Sequence, residues 1–240
     1  MSALASASFG RLTIVGTTHV DRSSIERVRK VIAEMHPSVV AVELDEERLW
    51  ALKDPDRDKV GSPLSSGLLP WLLALLERSA GSLTEVFPGT EMLEAIEAGQ
   101  RSGAQVAMID KPIGVILEEV KRIPLLEKTR IGIDILTALL SIVGRQKTAQ
   151  LKGVDLQKLL TEFDAKYPTL SRILVAERNR YMANRLRETL ESTPGVVVAV
   201  VGLGHVNGIA QNMTRYPPAT RQLPPGMTYE WTIRTDTSLP

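Results

Sequence analysis

The sequence predicts an α/β fold: a central, mostly parallel sheet flanked by helices, with a helical insertion at about 113–192 between the third and fourth core strands. Three observations predict it. Residues 11–15, 38–42, 105–109 and 196–201 are continuous apolar runs, the pattern of parallel strands covered on both faces. The stretches between them place apolar residues at helical spacing. Each run ends in polar residues at its carboxyl side: Thr17, Thr18 and His19; Glu43 and Asp45; Asp110 and Lys111; His205 and Asn207. The expected organisation is one domain over residues 1–240.

The elements follow in order. The run at 11–15 is a buried strand. Ser24 to Met35 carries Ile25, Val28, Val31 and Ile32 at helical spacing and stops at Pro37. With the strand at 38–42 this makes a right-handed βαβ unit and a parallel strand pair. Residues 53–66 are rich in Asp, Lys, Pro, Gly and Ser and read as a loop. Residues 67–79 read as a helix. Thr90 opens another that runs to about Gly99, with Met92, Leu93 and Ile96 inward. After the strand at 105–109, helical sequence runs from Ile113 to Tyr167, broken at Pro124 and near 144–153. One helix covers 169–192 and stops at Pro194-Gly195. The strand at 196–201 follows, and 228–233 alternates as an edge strand.

Composition excludes several function classes. A net charge of +1 gives no electrostatic case for nucleic acid or an anionic membrane. With no cysteine, disulfides, zinc fingers and thiol catalysis are excluded. Aromatic residues are 4% of the chain, too few for a stacking surface for sugars or bases. The first residues lack a basic start and an apolar core, so they do not read as a secretory signal. The most apolar runs, Leu68–Leu76 and Ile131–Val143, contain Pro70 and Asp134 and fall short of the roughly 20 residues a spanning helix needs. They read as buried helices or as helices offered to a partner, and a homodimer is expected through them.

Two segments repeat one pattern. Arg11 to Val20 and Val197 to Val206 each hold an apolar run, then Gly-x-x-His, then Val. Of three histidines, two, His19 and His205, occupy matching positions. The strand fixes position, the glycine permits a tight turn, and the imidazole is a base or metal ligand near neutral pH. His36, before Pro37, reads as a solvated helix-terminal residue. Ligands of open parallel sheets bind beyond the carboxyl ends of the strands, so these polar groups are expected to meet at one rim. Two imidazoles and up to three carboxylates there suit a divalent ion that activates water. In the helix at 169–192, Glu177 falls within the stripe of Leu170, Ile173, Leu174 and Tyr181. A carboxylate aimed at the core requires a partner. A histidine, an arginine, a metal or a bound ligand is expected to provide it. The chain has no His-Glu-x-x-His, no phosphate-binding loop of the Walker type and no Gly-x-Ser-x-Gly elbow.

Gly16-Thr17-Thr18-His19-Val20, Val40-Ala41-Val42-Glu43-Leu44-Asp45 and Met108-Ile109-Asp110-Lys111-Pro112-Ile113 resemble the TraB family, which includes the pheromone-shutdown protein PrgY. Glu177-Arg178-Asn179-Arg180-Tyr181-Met182-Ala183 and Val201-Gly202-Leu203-Gly204-His205-Val206-Asn207-Gly208-Ile209 continue the resemblance in the same order, over residues 11–210. The family is related to the Tiki proteases, erythromycin esterase and haem-binding ChaN-like proteins. The resemblance implies a sheet-and-helix fold with a cleft carrying the two Gly-x-x-His elements and, from the Tiki branch, a metal-dependent peptidase. His19, Glu43 and His205 then become the leading site residues, followed by Glu177 and Arg178. This chain departs from the family pattern at Asn179, where Asp is usual, and it lacks the hydrophobic C-terminal membrane region of many prokaryotic and archaeal relatives. The expected location is the cytoplasm, with membrane association if such a region belongs to a longer protein.

The expectation is a metal-dependent hydrolase acting on peptides. His19, His205 and Glu43 hold manganese, cobalt or zinc. Glu43 or Glu177 is the general base, and Arg178 holds a substrate carboxylate or an oxyanion. Thr18, Asp110, Lys111 and Asn207 line the substrate site. The alternatives are a non-catalytic protein that sequesters a hydrophobic, pheromone-like peptide, and a haem-binding protein.

Overall fold

The computed structural model describes residues 4–17, 22–53, 90–144, 156–215 and 232–236. The strands are β1 Leu4–Phe9, β2 Leu12–Thr17, β3 Val39–Val42, β4 Gln105–Met108, β5 Val197–Gly202 and β6 Thr232–Asp236. The helices are α1 Arg22–Met35, α2 Glu46–Lys53, α3 Thr90–Arg101, α4 Ile113–Lys121, α5 Leu125–Gly144, α6 Leu156–Lys166, α7 Pro168–Ser171, α8 Glu177–Ser192 and α9 Leu203–Arg215. A π-helical turn, Arg172–Ala176, lies between α7 and α8. The described residues divide into two compact units. The first holds all six strands with α1, α3, α8 and α9; the second holds α4 to α7.

The first unit is built on one sheet, in the order β4-β3-β5-β2-β1-β6. The four middle and left-hand strands are parallel, as the apolar runs predict: β2 with β5, β5 with β3, and β3 with β4. All six residues of β5 are buried. Alternate side chains leave opposite faces of a strand. Val197, Ala199 and Val201 therefore join Met182 and Leu186 of α8 and Val206, Ile209 and Met213 of α9. Val198 and Val200 join Val28 and Ile32 of α1 and Met92 and Ile96 of α3. Each such Val, Leu, Ile or Met side chain contributes roughly 1.5–3 kcal/mol when fully buried. This double cover requires β5 at the centre of the sheet. It also corrects one expectation: β2 and β3 are not a hydrogen-bonded pair, because β5 lies between them.

The strand β1 is not among the elements the sequence predicts. β1, in the small and polar residues near the N-terminus, forms a hairpin with β2, pairing Phe9 with Leu12 across Gly10-Arg11. Gly10 has φ 54°, the positive value that two-residue hairpin turns need. β6, described over Thr232–Asp236, is the expected edge strand and pairs antiparallel with β1. Arg11 joins this edge to α8. Its guanidinium donates to the carbonyls of Leu190, Thr193 and Gly195, where the helix leaves acceptors unpaired. His36 is exposed at the end of α1 with φ 42°, as expected of a helix-terminal residue.

The second unit has its own core of Ile116, Ile123, Leu170 and Ile173. Its helices break at Pro124, between α4 and α5. Buried Glu127 accepts the backbone N–H groups of Leu170 at 2.9 Å and Thr169 at 3.3 Å. It satisfies the start of α7, whose N-cap residue Tyr167 makes no side-chain cap bond. Leu125, Leu126 and Ile133 are exposed. The expected helix at 67–79 lies outside the described residues. No helix among the described residues is long and apolar enough to cross a membrane.

Candidate functional site

The carboxyl ends of β3, β4 and β5 lie side by side, because Val42 pairs with both Met108 and Val200. The backbone beyond them stays in register. Glu43 N–H donates to Val200 at 3.1 Å, and Asp110 N–H to Leu44 at 3.2 Å. Glu43, Asp110 and Gly202 are therefore set at one rim. His205 follows in the first turn of α9, and α8 brings Arg178 and Asn179. Every one of these residues lies in the first unit.

Arg178 is the hub. Its Nε donates to Asp110 Oδ1 at 3.0 Å, and its Nη2 to Asp110 Oδ2 at 2.5 Å and to Glu43 Oε1. The Asp110 side chain is 0% exposed and that of Arg178 14%. Burial alone would raise the Asp110 carboxyl, but the Arg178 guanidinium outweighs it and holds the carboxyl below its usual value. Burial alone would lower Arg178, but Glu43 and Asp110 outweigh it and raise it. Glu43 Oε2 accepts the Gly202 N–H at 2.6 Å. Its Oε1 lies 3.2 Å from His205 Nε2. On the other side of that ring, Nδ1 lies 2.6 Å from Asn179 Oδ1. A chain of contacts thus runs Asp110–Arg178–Glu43–His205–Asn179.

A second branch was partly foreseen. Asp45 opens α2, accepting the Arg48 N–H at 3.0 Å. Arg48 then bridges Asp45 Oδ2 and Asp110 Oδ2. The sequence signal for Arg48 is its place three residues after a capping aspartate, so that one helical turn returns the guanidinium to the strand end.

The expected residues fare differently. Glu43, Asp110, Arg178 and His205 meet. Glu177 is half-buried, and its Oε2 lies 3.1 Å from Lys111 Nζ. The stripe that placed it was reckoned at 100° per residue. The π-helical turn at 172–176 advances less per residue, so the face of Leu170 and Ile173 is not carried unchanged to Glu177. Asn207 is half-buried on α9. Thr18 and His19 lie outside the described residues; β2 reaches Thr17, which pairs with Gly202. Neither Gly16 nor Gly202 takes the positive φ of a tight turn. Gly202 ends β5, and α9 begins at the next residue. Among the described residues, no group of three or more His, Asp or Glu is arranged to hold a metal ion. Asn179, seen in the sequence only as a departure from a pattern, proves to be a contact of His205.

Comparison with known proteins places the chain in a family. The model of the TraB/PrgY/gumN family matches residues 3–215. An uncharacterized protein of Methanocaldococcus jannaschii is 33% identical over 214 residues, covering 84% of this chain and 53% of that protein. A TraB domain-containing protein of Bos taurus is 30% identical over 237 residues, covering 85% of this chain and 63% of its own length. The corresponding human protein is 28% identical over 235 residues, covering 84% and 62%. The chain thus spans about half to three fifths of the length of these relatives. The match takes in β2, the Glu43 and Asp110 strand ends, α8 and the start of α9, and the chain belongs to the TraB/PrgY/gumN family.

Proposed function

We propose that this rim is the centre of a metal-dependent hydrolase acting on peptides. The observation that carries the reading is the approach of two metal-binding atoms, Glu43 Oε1 and His205 Nε2, to 3.2 Å. That separation suits two ligands each about 2.1 Å from one tetrahedral ion. Both ligands are braced from behind, Glu43 by the Gly202 N–H and His205 by Asn179, as ligands of working metal sites are. His19 is the third ligand in this reading, on the strength of its place in the repeated Gly-x-x-His pattern. Manganese, cobalt or zinc, when bound, supplies an acidified water and polarises a carbonyl. Glu43, with both oxygens already accepting, serves as ligand and leaves the proton-accepting role to Glu177. Arg178 holds Glu43 and Asp110 in place, and Lys111 sets Glu177. Asn207 and Thr18 are assigned to substrate contact in this reading.

One observation favours a second reading. Arg178 already brings a positive charge against Glu43 and Asp110, as a bound cation would. The pair Glu43–His205 would then work as acid and base without a metal.

The test is turnover of a peptide library by the purified chain, with and without chelator, and with manganese, cobalt or zinc restored. The expected result is activity lost with chelator, regained with metal, and abolished in His205→Ala, His19→Ala and Glu43→Gln. Chelator-resistant turnover selects the metal-free reading. Stoichiometric peptide binding without cleavage overturns both in favour of sequestration, and a Soret band on haem titration favours a haem carrier.

A further inference from the structure

We infer that Asn179, seated against Gly208, is a positioning residue that keeps a proton on Nδ1 of His205 and so turns the Nε2 lone pair toward Glu43. The inference rests on the reading of His205 as a working imidazole, and adds what decides which nitrogen works.

A neutral imidazole carries one N–H and one lone pair. Left to Glu43 alone, the ring would place its proton on Nε2, because a carboxylate oxygen only accepts. Nε2 would then be neither ligand nor base. Asn179 competes for that proton from the opposite side. Its Oδ1 lies 2.6 Å from Nδ1, nearer than Glu43 Oε1 is to Nε2 at 3.2 Å. With the proton on Nδ1, the lone pairs of Nε2 and Oε1 converge on one point, where an arriving proton or cation is held between them. A ligating histidine whose other nitrogen donates to a fixed oxygen follows the same logic. An amide does this without adding charge. The rim already holds Glu43, Asp45, Asp110 and Glu177 against Arg48, Lys111 and Arg178. An aspartate at 179 would add a further carboxylate.

The amide in turn depends on a missing side chain. Gly208 lies on α9, three residues beyond His205. A Cβ there would stand 2.0 Å from Asn179 Nδ2 and 2.7 Å from its Cγ. Glycine is a poor residue for a helix interior, where alanine is the best. Its place in the middle of α9 is explained by the room Asn179 takes. Asn179 itself is buried, so it cannot swing into solvent without opening the contact between α8 and α9.

The test reads the ring directly. The full chain, labelled with ¹⁵N-histidine and free of metal and substrate, is examined by two-bond ¹⁵N–¹H correlation at mildly alkaline pH. In the wild type, and in Asn179→Asp, which keeps an acceptor, Nδ1 of His205 carries the proton. In Asn179→Leu and in Gly208→Ala the proton moves to Nε2. Gly208→Ala added to Asn179→Ala leaves the ring signals where Asn179→Ala alone put them. A wild-type ring that carries a proton on Nε2, alone or together with one on Nδ1, overturns the inference without any variant. So does an Asn179→Leu protein that retains the Nδ1 proton. Should Asn179→Leu fail to fold, the wild type and Asn179→Asp decide. Where turnover is found, Asn179→Leu lowers kcat about 10–100-fold, the loss typical of removing such a support, and Asn179→Asp restores part of it. A proton that moves as described in a protein that cleaves nothing leaves this inference standing and removes the hydrolase. Chelator-sensitive turnover with an unmoved proton does the reverse.

Discussion

Asp110 and Asp134 are both aspartates held below their usual pKa by their neighbours, yet they are held by opposite physics. Asp110 sits at the strand-end rim of the first unit with its side chain fully covered; burial opposes its charge, and Arg178 and Arg48 overcome that opposition. Asp134 lies on α5 in the second unit with its side chain 32% exposed. There the hydrogen bonds from Tyr167 and Lys166 come first, and burial ranks behind both. A buried ion pair is weak evidence of stability as a whole, but losing one partner strands the other charge. An exposed pair strands nothing, because water takes over. The rim is thus the place where a single substitution is expensive, and such a device persists where position matters more than stability.

The largest effect is expected from Arg178→Met. It leaves Glu43 and Asp110 as neighbouring buried carboxylates without their shared counter-charge. Breaking such a pair costs about 3–5 kcal/mol. Urea denaturation measures it, read at unchanged slope so that the denatured state is the same. A loss below about 1 kcal/mol, the range of exposed pairs, would show that water reaches the rim and would erase the contrast.

The next effect is a pH dependence. Asp110 has a lower pKa folded than unfolded, so between the two values the unfolded chain binds more protons. Stability therefore rises with pH there. The contribution is complete above the ordinary aspartate value of 3.8 and is lost as pH falls through the folded value. Asp110→Asn is expected to lower stability at neutral pH and to flatten this acid limb. A limb that stays as steep in the variant would assign it to other carboxylates.

A smaller effect tests the second unit in its own right. Glu127 accepts two N–H groups at the start of α7 from a position 42 residues earlier in the chain. Glu127→Ala should cost about 1 kcal/mol, as the loss of a helix cap does. Glu127→Gln, which keeps a carbonyl acceptor but no charge against the helix N-terminus, should cost less.

The sequence announces the parts of the fold whose burial is two-sided. The runs containing Val40–Val42 and Val197–Val201 are apolar because both faces are covered, so they are visible without a structure. β1 is not, since its Ala and Ser residues carry no such pattern and it forms by pairing with β2 and β6. Strand order is hidden for the same reason: local sequence shows that β2 and β3 are strands but not that β5 separates them. At the rim, Glu43 and Asp110 are legible because each directly follows a strand run, and His205 because it closes the repeated Gly-x-x-His. Asn179 and Gly208 are not, since what matters is the meeting of two helices, and no spacing within either one encodes it. The contact of Glu177 with Lys111 is not legible either, because a π-helical turn interrupts the helical count before it and nothing in Arg172–Ala176 marks that turn.

The smallest effect is expected at Asp134, and its size is the point. Tyr167 donates its hydroxyl to Asp134, and Lys166 Nζ lies 2.9 Å from the same carboxylate. Burial first, and this hydrogen bond second, raise the Tyr167 phenol above its ordinary value. Asp134→Asn removes the charge but leaves the ring packed against Phe163. Stability should not change measurably, since the ion pair with Lys166 is exposed. The phenol should respond. In a wild-type-minus-variant ultraviolet titration, one of the four tyrosines should ionise at lower pH in the variant, while still above the ordinary value because burial remains. A clear loss of stability would mean that Asp134 is held as Asp110 is, and the two sites would then differ in location but not in kind. An unmoved phenol would mean that burial alone raises it, and that the carboxylate of Asp134 is solvated.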